Sequence, residues 1–85
     1  MAVEVADSSL QPDRTVKGRI YARAAIPLYW IINVPDHQIE VYTDPTGPCP
    51  NPNNQQRRDY RAGDSVPLVL DGQEIGSIPV NDLLP

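Results

Sequence analysis

The chain has 85 residues with 10 prolines, a single cysteine, 7 Lys and Arg against 11 Asp and Glu, and a net charge of −4. That length allows one domain and one core, and the lone Cys49 excludes an intrachain disulfide, while no Cys and His cluster stands at zinc spacing. The longest apolar run, Leu28 to Ile32, is far too short to cross a bilayer, and the acidic balance argues against gripping nucleic acid by overall charge. The absence of a leader or anchor signal points to a cytoplasmic protein with no membrane role. With no staple available, a core this small gains from a partner chain.

In chain order, Val3 and Val5 flank Glu4 in an alternating run, which predicts a strand with Glu4 on the face opposite the valines. Ser8, Ser9, Pro12 and Asp13 break the pattern, and Asp13 is the expected N-cap of a helix from Arg14 to Ala25. Val16, Ile20 and Ala24 recur every four residues as its expected apolar stripe, and Pro27 closes it. Four of the seven cations, Arg14, Lys17, Arg19 and Arg23, fall in this segment. Solvated helix charges explain them, and phosphate contacts from Arg14, Arg19 and Arg23 are the functional alternative.

Leu28 to Val34 is a nearly unbroken apolar run, the pattern of a central strand covered on both faces, so a β-α-β crossover with strands 3–5 and 28–34 parallel is expected. After the turn at Pro35 to Gln38, Ile39 and Val41 alternate with Glu40 and Tyr42, predicting an antiparallel hairpin partner with one face in water. Residues 44–56, with Pro45, Pro48, Pro50 and Pro52, read as a mobile loop. A short strand at Arg57 to Tyr60, a turn at Ala62 to Asp64, a strand at Val66 to Leu70, a hairpin turn at Asp71 and Gly72, and a last extended segment at Ile75 to Val80 complete the chain. The fold class is α/β (α+β), a small mixed sheet of about 4–6 strands with one main helix.

The block VEVADSSLQPDRTVKGRIYARAAIPLYWIINV, residues 3–34, resembles the family of putative restriction endonucleases within the PD-(D/E)XK nuclease superfamily. The resemblance rests on Glu4 and Val5, then Asp7, Ser8 and Ser9, then Asp13, Lys17 and Tyr21, and Ile26, Pro27, Tyr29 and Trp30. Later features, Glu40 to Tyr42, Gly63 with Asp64 and Ile78 to Val80, fit as well. It implies part of a restriction-endonuclease-like fold acting on DNA with Mg²⁺. Glu4 and the main-chain carbonyl of Val5 would be metal ligands, Lys17 the charge stabiliser, and Tyr21 its neighbour one helical turn on.

Leu28 and Asn33 depart from the family's Glu and Asp at those places, and the family's first Asp belongs to a strand upstream of Glu4 that this sequence does not contain. The expectation is therefore a truncated relative in one domain, 1–85, inactive as an isolated chain. The alternatives are a Mg²⁺-dependent endonuclease completed by a second chain or a longer protein, and a non-catalytic dimerisation or binding module. An open sheet edge beside strand 3–5 predicts a homodimer. His37 sits in a polar turn without companions and Cys49 beside no base, so neither is assigned chemistry.

Overall fold

The computed structural model describes all residues from Met1 to Pro85. Strand β1 (Ala2–Ala6) is followed by a continuous helical segment, made of α1 (Leu10–Pro12), a π-helical stretch (Asp13–Lys17) and α2 (Gly18–Arg23). Then come β2 (Leu28–Asn33), β3 (Gln38–Pro45), β4 (Asn54–Arg61), β5 (Ser65–Leu70), β6 (Gln73–Pro79) and the short α3 (Val80–Leu83). The first four strands form one sheet in the order β1-β2-β3-β4, and β5 and β6 form a separate two-stranded sheet. No helix is long and apolar enough to cross a membrane.

The expected crossover is present, for β1 and β2 run parallel with Glu4 opposite Ile31, and β2 and β3 are antiparallel with Ile31 opposite Glu40. All six residues of β2 are buried, as an uninterrupted apolar run demands of a strand covered on both faces. Because side chains alternate along each strand and paired residues share a face, Glu4, Ile31, Glu40 and Asp59 point one way, and Val3, Trp30, Val41 and Arg58 the other. The second face carries the larger core: Leu28, Trp30, Ile32, Ile39 and Val41 pack with Val66 of β5 and Val80 of α3. The helical segment covers the first face, where a smaller cluster of Ala6, Tyr29 and Ile31 takes in Leu10 and Tyr21.

Three expectations are corrected. The helix starts at Leu10 rather than after Asp13, so Asp13 is an interior residue, wholly buried, and makes no side-chain cap. The anticipated apolar stripe faces solvent, with Val16 58% and Ile20 56% exposed. The stripe that meets the sheet is Asp13, Lys17 and Tyr21, also spaced by four, because the sheet face beneath presents the carboxylates of Glu4 and Glu40 beside Ala6, Tyr29 and Ile31. Polar side chains are the better match for that surface.

The third correction concerns the bounds of the proline-rich loop, expected over 44–56: β3 extends to Pro45 and β4 begins at Asn54, leaving a connection of residues 46–53. That connection is tied down by three contacts. The Gly47 amide donates to the Ala22 carbonyl at 3.0 Å, the Thr46 amide to the Asn53 carbonyl at 2.9 Å, and the Asn53 amide to Thr46 Oγ1 at 3.1 Å. The Asp71–Gly72 hairpin turn is as expected, with φ of 51° and 75° at successive residues, the left-handed pair such a two-residue turn requires.

Candidate functional site

Glu4 is placed on the helix-covered face of β1 by strand alternation, and its side chain is 22% exposed. One carboxylate oxygen, Oε2, accepts from the Lys17 ammonium at 3.0 Å, and the other, Oε1, accepts from the Tyr21 hydroxyl at 2.8 Å. Three residues named from sequence thus meet at one point, at separations of 13 and 17 residues. The spacing of four along the helix brings Lys17 and Tyr21 to one face, and the crossover sets that face against β1. Val5 is the next residue of the strand, with its side chain exposed on the opposite face.

The hydrogen bond to Glu4 and then the nearby Asp13 carboxylate raise the Lys17 ammonium above its ordinary range, so it remains a cation at every physiological pH. Tyr21 is also raised, first by its hydrogen bond to Glu4 and then by burial, and so remains a neutral phenol that donates. Neither group is a proton acceptor at neutral pH. The trio can hold a carboxylate in one orientation with a fixed positive charge beside it.

A second polar centre lies two strands over, on β3, and sequence reasoning missed it. Glu40, expected on a solvated strand face, has a side chain with no exposed surface. Arg14 engages it with both arms of the guanidinium, Nε on Oε1 at 2.9 Å and Nη2 on Oε2. Asn33 Nδ2 donates to Oε2 at 2.7 Å, Gln38 Nε2 to Oε2 at 3.1 Å and the Tyr42 hydroxyl to Oε1 at 2.6 Å, with Arg57 Nη2 a further 3.3 Å away. Burial pushes this carboxyl up, but the hydrogen bonds from Arg14, Tyr42, Asn33 and Gln38 outweigh it and bring it down to about 2. The sequence signal that would have found it is Asn33 and Gln38 at the junction of two buried strands, polar groups that need a shared partner.

The arginines separate into two groups. Arg14 is committed to Glu40, whereas Arg19 and Arg23 are exposed, make no ion pair, and line a cleft of about 420 Å³ against Pro48, Cys49 and Pro52. Arg19 also borders a smaller recess of about 210 Å³ with Arg14 and Asn53. His37 is an exposed turn residue with φ of 52°, and Cys49 is exposed, its Sγ 3.5 Å from Thr46 Oγ1.

The residues present do not by themselves make a Mg²⁺ site. That ion requires several oxygens in near-octahedral order, and no group of three or more His, Cys, Asp or Glu side chains converges anywhere in the chain. Both oxygens of Glu4 are engaged by donors. A family model described as Uma2, "Putative restriction endonuclease", matches residues 1–80. No curated protein and no solved structure matches the chain.

Proposed function

Since the chain belongs to the Uma2 family of putative restriction endonucleases, we propose that it carries the Glu4, Lys17 and Tyr21 half of a DNA-cleaving centre and does not cleave DNA on its own. The observation that carries this reading is the closed contact of Glu4 with both Lys17 and Tyr21. A cation held in its charged form at neutral pH, fixed beside a carboxylate at the margin of the helix, suits a site where negative charge grows on a phosphate. Tyr21 sets the carboxylate's orientation. Arg19 and Arg23, the unpaired cations of the same helix, would meet backbone phosphates, while Arg14 contributes through Glu40 first.

The fit of the remaining half decides activity. Mg²⁺ is the group the family implies, and a carboxylate beyond those of this cluster is needed to hold it. Glu4 lies on β1, the end strand of the four-stranded sheet, so a strand added along β1 would bring its own side chains beside Glu4. We propose that such a strand, from a second copy in a homodimer or from another chain, completes the centre.

Purified protein is expected to leave supercoiled plasmid intact in Mg²⁺ or Mn²⁺. Nicking that is lost in both Glu4→Ala and Lys17→Ala would overturn the claim of inactivity. The completing strand is tested by light scattering across a concentration series: a stable monomer at high concentration, with no co-purifying chain, rejects it.

A further inference from the structure

The carboxylate of Asp13 is the one acidic group beside the Glu4 cluster with no part assigned so far, and its setting is unusual. The side chain has no exposed surface, a position that an Asp rarely takes unless it is paired. Its charge is not spent on the helix, since it makes no cap hydrogen bond. Oδ2 accepts from Ser9 Oγ at 2.8 Å. Oδ1 has no aligned hydrogen-bond partner, yet lies 3.2 Å from Lys17 Nζ.

The backbone at this point is held as firmly as the side chain. The carbonyl of Asp13 accepts the Tyr29 hydroxyl at 2.9 Å and the amide of Gly18, five residues on, through the π-helical turn. Such turns are rare inside α-helices and occur often where a side chain is being re-aimed at a functional site. Here the turn spans Asp13 to Lys17 and lays both over β1, so the ammonium lies between two carboxylates, Glu4 at 3.0 Å and Asp13 at 3.2 Å.

We propose that Asp13 is a positioning residue that holds the Lys17 ammonium against Glu4, an inference that rests on the nuclease reading for its purpose. Lysine has a flexible four-carbon stem and a compact charge, so a lysine 43% exposed keeps a fixed place only when more than one partner holds it. Glu4 supplies one anchor from the strand. Asp13 supplies the second from the helix itself, and Ser9 and Tyr29 keep Asp13 from turning away. The elevation of the Lys17 ammonium by both carboxylates accords with this arrangement.

The test uses the full chain labelled with ¹³C and ¹⁵N and measures side-chain order at Lys17 Cε and Nζ by NMR relaxation. In Asp13→Asn, with the fold retained, Lys17 order is expected to fall well below the wild-type value while the Tyr29 ring keeps its own. Unchanged Lys17 order, or order lost equally at Tyr29, overturns the proposal, the latter because general loosening is all a structural role predicts. Should Asp13→Asn not fold, Ser9→Ala, which frees Oδ2 and leaves the charge, is expected to lower Lys17 order in the same direction, and no change there overturns it. Plasmid cleavage reports on the nuclease reading alone, so the two can fail separately.

Discussion

At the scale of single residues, two carboxylates on one sheet face, with Ile31 between them, behave differently because their surroundings differ. Glu4 is partly open to water, whereas Glu40 is closed over by five donors. Removing one partner of a buried pair leaves the other charge stranded, which costs about 3–5 kcal/mol. Glu40→Ala is therefore expected to unfold the chain or lower its urea midpoint severely, while Glu4→Ala should cost about 1 kcal/mol or less, as exposed pairs do. Equal losses from the two would contradict this assignment. The pH response follows in sign. Because the folded carboxyl of Glu40 is depressed from 4.5 to about 2, its contribution is complete above pH 4.5 and shrinks as pH falls toward 2, where the unfolded chain binds the proton first. A denaturation series over that window should show stability falling in wild type, with a shallower slope in Glu40→Gln. Glu4, Lys17 and Tyr21 were legible in the sequence because the family resemblance names them and a step of four puts Lys17 and Tyr21 on one helix face. Glu40 was not, since strand alternation reports which residues share a face and not what lies over that face, and the deciding partner, Arg14, is 26 residues away.

At the scale of elements, the helix shows how a correct period can be assigned to the wrong side. Both Val16–Ile20–Ala24 and Asp13–Lys17–Tyr21 recur every four residues, and hydrophobicity alone favours the first. The sheet chose the second. Val16→Lys is accordingly expected to change stability by no more than about 0.5 kcal/mol, the range for exposed positions away from special features. A buried valine would lose several times more, so a chemical denaturation curve decides between the two faces. Gly72 makes a complementary case in the β5–β6 turn: its φ is 75° and nothing approaches where a Cβ would stand. Gly72→Ala should then cost about 1 kcal/mol from backbone conformation alone, measured by thermal unfolding. The strands were legible from alternation and the Asp71–Gly72 pair from its chemistry. The reach of β3 and β4 into the proline-rich stretch was not, because Pro45 ends a pairing with Asn54 that composition disfavours and tertiary contact permits.

At the scale of the whole molecule, a single sheet is held by two different kinds of contact. Trp30, 2% exposed, stands at the centre of the apolar side with Ile39, Val66 and Val80, while the other side is joined to its helix largely through ion pairs and hydrogen bonds. Trp30→Ala is expected to cost about 3–5 kcal/mol, which exhausts much of the stability available to a chain of this size, so circular dichroism should report a largely unfolded variant. The parallel pairing of β1 with β2 was legible from element order and handedness. The division into two sheets was not, since it depends on where β5 and β6 pack. The two sides of the sheet also fail under different conditions. Apolar burial weakens in the cold, whereas the charged side yields to acid as Glu40 is neutralised. Chilling therefore loosens the hairpin layer and acid the helix layer, and at low temperature and low pH together the sheet loses both its supports at once.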